Sequence, residues 1–319
     1  MLNLNTEATR AALPFPALIA ALRMAFAQDC NVPLRHTHEV AAGGSVFTSL
    51  IMPAWNARYY GVKIINVAPG NAARGLPGLH AAYLLHDAMT GVPLALIDGD
   101  ELTTRRTAAA AALGASFLAR DDARHLLLVG AGRIARLLPD AFAAVRPIDR
   151  VTVWARSHAQ ATALAEALRQ DGCNATASDD LAAAASQADI VSCATLATSP
   201  VVLGRWLKPG SHLDLIGSFS PAMRETDDDC FAGASVFVDT EEALRKSGDL
   251  LGPMARGVFA ASDVRGTLES LVRGERVGRQ SGDERTVFKA VGTALEDLAA
   301  AVTVYESSCA LAPLGRGLG

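Results

Sequence analysis

The chain has 319 residues, half of them hydrophobic and about a fifth charged, with a formal net charge of -4. That length allows two ordinary domains and a large core, and the composition excludes a disordered chain. No Lys/Arg block interleaves with aromatics, so nucleic acid is not expected as a partner.

In chain order, apolar spacing predicts a helix over residues 16–27, then strands near 45–52, 60–66, 80–87 and 92–98. Ala88-Met89-Thr90-Gly91 joins the last two, and Gly91 supplies the turn of a hairpin in a mostly antiparallel meander. A helix over 103–118 leads out of this region. Residues 119–290 then alternate strand and helix, the pattern of a doubly wound parallel sheet. Strands are expected at 126–129, 151–154, 190–193, 212–216 and 236–238, with helices such as 159–170 and 181–187 between them. From Thr286 a long helix is expected to run to about Ser307 and return to the first region, and the tail 311–319 reads as frayed. The fold class is α/β: a Rossmann doubly wound parallel sheet (119–290) inserted in a smaller α+β domain (1–118 with 291–319).

The most informative stretch is Leu126-Leu127-Leu128-Val129-Gly130-Ala131-Gly132-Arg133-Ile134-Ala135. Four aliphatic residues read as a buried parallel strand, and Gly-x-Gly-x-x-Ala follows at once. The first glycine permits a tight turn, the second lets backbone approach a pyrophosphate, and the small third position lets the helix pack closely. The helix N-terminus then offers N–H groups and the positive end of its dipole to phosphates. Ligands of such sheets bind at the carboxyl ends of the strands, here 155–157, 194–195 and 217–219.

Five scattered cysteines without Cys-x-x-Cys argue for reduced thiols, and seven histidines form no metal-ligand spacing, so no metal is expected. Glu7, Pro14, Pro16 and Arg23 interrupt the N-terminal apolar stretch, so no secretory leader is expected. No apolar run approaches the ~18 residues of a membrane span, and a cytoplasmic location without membrane contact is the expectation.

Several boxes in order match one family. They are Pro33-x-Arg35, Gly61-Val62-Lys63, Pro69-Gly70-Asn71, Arg74-Gly75-Leu76-Pro77 and Thr90-Gly91-x-Pro93-Leu94-Ala95. Leu102-Thr103-x-x-Arg106-Thr107-Ala108-Ala109, the glycine turn and Phe288-Lys289-x-x-Gly292-Thr293-Ala294-x-Glu296-Asp297 complete them. By these boxes the chain resembles the ornithine cyclodeaminase/mu-crystallin family, nearer its ketimine reductases. The resemblance implies that Arg35 and Lys63 bind a substrate carboxylate, with Lys63 catalytic beside the reacting carbon. Arg offers a planar fork for a carboxylate, and a partly buried Lys near another cation exchanges a proton with an imine nitrogen. It also implies that Arg106 and Thr195 touch the dinucleotide, that Leu215 and Ile216 line it, and that Ala290, Val291 and Gly292 lie against nicotinamide and substrate. Asp297 reads equally as a structural salt bridge or as an orienting group. A homodimer, built through the first region and the closing helix, is implied in the same way.

Three departures from the cyclodeaminase pattern narrow the reading. Leu215-Ile216-Gly217-Ser218-Phe219 replaces Ala-Val-Gly-Gly-Asp, so Phe219 stands where cyclodeaminases have a catalytic carboxylate. Oxidising an α-ammonium needs a general base, whereas reducing an imine needs only a proton. Asp214, within a strand, and Asp227, beyond the loop, are the nearest substitutes; the run Asp227-Asp228-Asp229 otherwise reads as a solvated face. Second, Ala155 takes the place of the acid that binds a ribose 2′-hydroxyl, while Arg156 and Ser157 suit a 2′-phosphate; NADP(H) is preferred, with NAD(H) open. Third, Gly78 stands where cyclodeaminases have a threonine, which opens space near the substrate.

The expected activity is NADP(H)-dependent reduction of a small cyclic imino acid, such as Δ1-pyrroline-2-carboxylate or Δ1-piperideine-2-carboxylate. The alternatives are an NAD-dependent ornithine cyclodeaminase and a non-catalytic protein that holds NADP(H) and a small ligand.

Overall fold

The computed structural model of the chain describes residues 1–311. The expected frayed tail, past residue 311, lies outside the described residues. Two compact units are present: Met1–Arg106 with the segment that begins at Thr293, and Thr107–Gly292.

The first unit is built on β1 (Leu2–Leu4), β2 (His36–Ala42), β3 (Ser45–Trp55), β4 (Tyr59–Val67), β5 (Leu79–Asp87) and β6 (Pro93–Asp98). Among the described residues these form one sheet in the order β1-β6-β5-β4-β3-β2. Neighbours are antiparallel except β1, which runs parallel to β6. In β4, Tyr59, Gly61, Lys63 and Ile65 are buried, whereas Ile64 is exposed. That alternation marks one covered face, and it sends Lys63 inward among apolar neighbours. The cover is α10 (Ala294–Leu311), which packs on β3, β4 and β5 beside α1 (Thr6–Ala12) and α2 (Phe15–Ala27). The hairpin between β5 and β6 turns at Gly91, with φ of 72°. Asp87 fixes it by accepting from Met89 N and Thr90 N.

Three elements of this unit had no sequence signal. β1 has three residues, β2 is polar and mostly exposed, and α1 is a single short amphipathic stretch. Pairing with β6 and β3 creates the two strands; no apolar alternation does.

The second unit contains β7 (His125–Val129), β8 (Arg150–Trp154), β9 (Ala175–Ala177), β10 (Ile190–Cys193), β11 (His212–Leu215), β12 (Ser235–Val238), β13 (Gly266–Thr267) and β14 (Thr286–Lys289). They form a wholly parallel sheet in the order β13-β12-β14-β11-β10-β7-β8-β9. Helices α3 (Gly99–Leu118), α4 (Arg133–Ala143), α5 (His158–Gln170), α6 (Leu181–Gln187), α7 (Ala243–Lys246), α8 (Gly248–Ala255) and α9 (Leu268–Val272) belong to it wholly or, for α3, in part. The fold is therefore mixed α/β with a Rossmann-type parallel sheet. Its strand order reverses direction between β7 and β10, where ligands of such sheets bind.

One sequence expectation needs correction. The segment from Thr286 does not open the long helix: residues 286–289 form β14, a fully buried strand between β11 and β12, and the helix starts only at Ala294. A short apolar run carries no period that separates strand from helix, so the flanking strands decide. The units also divide at Arg106/Thr107 and Gly292/Thr293, so residues 107–118 cluster with the parallel sheet. Within the second unit α3 packs closely on β14. A Cβ on Gly114 of α3 would lie 2.8 Å from the Phe288 ring of β14.

No single helix among the described residues is long and apolar enough to cross a membrane.

Gly114→Val should lower unfolding stability by about 1–3 kcal/mol through overpacking against Phe288. Urea denaturation reads this, and an unchanged midpoint would refute the close approach.

Candidate active site

In the first unit the functional side chains converge on the first turn of α10. Asp297 and Glu296 both lie there, where the helix dipole favours negative charge. Lys63 Nζ, projecting inward from β4, lies 2.8 Å from Asp297 Oδ1 and 2.7 Å from Oδ2. Arg106, from the first half of α3, donates Nε to Asp297 at 2.9 Å and Nη1 to Glu296 at 2.6 Å. All four residues are buried, Lys63 with 1% of its surface exposed. Half-buried Arg35 stands close enough for its charge to act on Lys63.

Burial brings the Lys63 ammonium down to about 8; Asp297 opposes that fall, and the Arg106 and Arg35 charges reinforce it. Burial would raise the Asp297 carboxyl, but Lys63 and Arg106 outweigh it and hold the group below its ordinary value. Three cations thus face two carboxylates, which leaves a net positive centre suited to a carboxylate ligand. Among the described residues, Lys63 Nζ bonds to Asp297 alone, so a donor remains for a ligand. Next to Lys63, the Tyr83 ring on β5 fills the room left by Gly61, where a Cβ would lie 2.0 Å from the Tyr83 hydroxyl oxygen.

Arg106 was expected at the dinucleotide. Its Nε and Nη1 pair with Asp297 and Glu296, two buried carboxylates that offset the cost of enclosing a guanidinium. Asp297, read as structural or orienting, is the hub of the cluster. Its partners are 234 and 191 residues away in sequence, so no local pattern could reveal the pairing.

In the second unit the glycine turn has the form its sequence implies. Gly130 has φ of 118°, and a Cβ on it would lie 2.7 Å from Ala194 O of the loop after β10. Gly132 caps α4 with no side-chain hydrogen bond, and a Cβ there would meet nothing within 4 Å among the described residues. The first-turn N–H groups of Arg133 and Ile134 are therefore open to an anion, and Ala131 stands beside them, half-buried. This open cradle fits a dinucleotide pyrophosphate. Arg156 and Ser157 at the end of β8 are exposed; Arg156 makes no ion pair among the described residues, and the Ser157 hydroxyl does not cap α5.

The other expected contacts divide. Ala290 and Val291 are buried at the end of β14, where the Val291 N–H is held by Asp239. Thr195 spends its hydroxyl on protein partners: it donates to Glu225 Oε1, beyond β11, at 2.8 Å and accepts from Ala197 N of its own loop. Leu215 is wholly enclosed in the apolar core with Val238 and Val287; Ile216, one residue on, sits at the strand end. Phe219 packs on the same core. Neither acid that could have replaced its carboxylate is placed to do so. Asp214 is buried in β11 and accepts from Ser192, and Asp227 accepts from Gly204 N. Asp228 pairs with Arg224 and Arg256 as a surface group. At Gly78 a Cβ would meet only Ala68 O, at 3.8 Å, so packing does not demand a glycine there.

Sequence reasoning missed Glu225, Asp239, Asp249 and Lys289, all buried in the second unit. Only their charge inside apolar context could have flagged them. Among the described residues, no group of three or more His, Cys, Asp or Glu is placed to hold a metal ion.

Comparison with known proteins agrees with this geometry. The model of the ornithine cyclodeaminase/mu-crystallin family matches residues 14–310, and the chain belongs to that family. A Delta(1)-pyrroline-2-carboxylate reductase of Paracoccus denitrificans is 46% identical over 277 residues, which cover 86% of this chain and 88% of the relative. Among solved structures, the Thermococcus litoralis Delta(1)-pyrroline-2-carboxylate reductase in complex with NADH and L-proline is similar, with a TM-score of 0.92 and 32% identity over 97% of this chain and 98% of that one. An archaeal alanine dehydrogenase, described as a dimer with bound NAD, has a TM-score of 0.90 and 27% identity, covering 100% of this chain and 99% of that one.

Asp297→Asn leaves buried Lys63 without a carboxylate and Arg106 with Glu296 alone, and the expected loss is about 3–5 kcal/mol of stability. The exposed Arg136–Asp171 pair is the control, since Asp171→Ala should cost under about 1 kcal/mol. Equal denaturation midpoints for the two variants would contradict the placement of Asp297.

Proposed function

We propose that this chain reduces a small cyclic imino acid, Δ1-pyrroline-2-carboxylate or Δ1-piperideine-2-carboxylate, to the amino acid. Its class is that of an NAD(P)-dependent oxidoreductase acting on C=N. The observation that carries the reading is the buried Lys63–Arg106–Asp297–Glu296 cluster of the first unit, to which the Arg35 charge adds; in the second unit Phe219 replaces a catalytic acid.

Arg35 and Lys63 bind the substrate carboxylate, Arg35 through its planar fork. Lys63 Nζ gives the proton that the imine nitrogen gains as the C=N bond becomes CH–NH. An ammonium brought down to about 8 is protonated at neutral pH yet acidic enough to part with that proton. Asp297 holds the Lys63 side chain in one place and stabilises its charged form. Arg106 turns the Asp297 carboxylate and balances Glu296.

When bound, a reduced nicotinamide dinucleotide supplies the hydride. Gly130, Ala131, Gly132, Arg133 and Ile134 would hold its pyrophosphate, and Ala290, Val291 and Ile216 its nicotinamide end. Arg156 and Ser157, exposed beside Ala155, favour the 2′-phosphate of NADP(H) over NAD(H). A homodimer is proposed from the archaeal relative described as one, and from Val46 and Ile64 exposed on the first unit's sheet.

NADPH oxidation with either imine should be rapid, slower with NADH, and ornithine with NAD should release no ammonia. Proline and ammonia from ornithine would reverse the reading. Lys63→Met should lower kcat by about 100-fold or more, the range of a lost general acid. Rates for the protein itself should be level below pH about 8 and fall above it, as Lys63 loses its proton. Asp297 holds the ammonium up, so Asp297→Asn should move that fall to lower pH, where it remains folded. A limb that stays put in the variant would remove Lys63 as the proton donor.

A further inference from the structure

The second unit buries a cation that the reaction above does not use. Lys289, the last residue of β14, is fully enclosed, and its Nζ makes no hydrogen bond among the described residues. Its ion-pair partner is Asp249 Oδ2, at 3.8 Å, which itself accepts no hydrogen bond among those residues. An ammonium buried this deeply is costly unless negative charge surrounds it.

The surrounding carboxylates are those that fix the strand-end loops. Glu225 accepts from Thr195 N and Gly217 N, each at 2.7 Å, and so ties the loop after β10 to the loop after β11. Asp239, just past β12, accepts from Val291 N at 2.7 Å and Gly292 N at 2.6 Å, which shapes the loop after β14. Asp249, at the start of α8, accepts through Oδ1 from Glu225 N and Thr226 N, and so places Glu225 itself. Burial pushes the Glu225, Asp239 and Asp214 carboxyls up, and the Lys289 charge opposes that rise at each of them. Gly217 shows how tight the arrangement is, since a Cβ there would lie 2.0 Å from Thr195 O and 2.5 Å from Glu225 Oε1.

The geometry points to Lys289 as a positioning residue for the dinucleotide: its buried ammonium balances Asp249, Glu225 and Asp239, which clamp the loops at residues 195, 217 and 291–292. It touches no ligand, being enclosed. The assignment rests on the proposed nicotinamide dependence, and it adds the group that holds the nicotinamide-side loops in place.

The test is direct binding of NADH and NADPH, read by nucleotide fluorescence without imine, alongside thermal unfolding and steady-state rates. Lys289→Met keeps the length of the stem and removes the charge. It should weaken nucleotide binding by about tenfold or more and lower kcat, with the imine KM within about twofold. Lys289→Met with Asp249→Asn removes one charge of each sign while an oxygen remains to accept from Glu225 N and Thr226 N. That double variant should recover binding to within about fivefold of the parent, a rescue that a packing role would not give. It also carries the test if Lys289→Met alone does not fold. Parent-like binding by Lys289→Met, or a double variant that fails to recover, would overturn the assignment. A parent protein that binds neither nucleotide would instead overturn the proposed function.

Discussion

The first unit depends on one carboxylate. Asp297 lies in the first turn of α10 and receives Lys63 from β4 and Arg106 from α3, so three separate stretches of chain meet at a single buried group. Each charge would be costly alone in that environment, and together they offset one another. The arrangement leaves more positive than negative charge, because Arg35 adds a third cation near Lys63. The same interaction that closes the helix onto the sheet gathers the cations proposed to bind a carboxylate, and burial brings the Lys63 ammonium down to about 8.

The second unit uses the same physics with the signs exchanged. There, a single ammonium, Lys289, lies among several carboxylates, and each carboxylate is spent on backbone N–H groups of a different strand-end loop. Parallel strands all finish at one edge of the sheet, so their loops have no ladder of hydrogen bonds to fix them. Buried acceptors take over that task. Glycine is required where those loops come closest, at Gly130 and Gly217, because a side chain would collide with the neighbouring loop.

Chemistry follows from what each unit lacks as much as from what it holds. Phe219 packs against the core, and neither Asp214 nor Asp227, each bonded elsewhere, replaces the carboxylate that cyclodeaminases have there. Reduction of an imine asks for a proton donor, the part proposed for Lys63. Relatives that carry the name Delta(1)-pyrroline-2-carboxylate reductase support the same choice.

Much of this protein is legible in its sequence. The antiparallel meander, the alternating strands and helices of residues 119–238, the glycine turn and the family boxes all rest on local patterns of period, turn chemistry and spacing. Lys63, Arg35 and the missing acid at 219 can be named for the same reason. Tertiary structure decided the rest. Residues 286–289 became a strand because β11 and β12 flank them, although their apolar run suits a helix equally well. Arg106 turned to Asp297 and Glu296, and Thr195 to Glu225, because buried charges and hydroxyls bond to whatever the fold brings nearest. Lys289 stood in a family box without a role, and its carboxylates were silent, since a buried charge looks like a surface charge until the chain encloses it. The sequence determined which local elements and chemical groups exist; only the fold determined which charges meet, because partners some 200 residues apart share no local pattern.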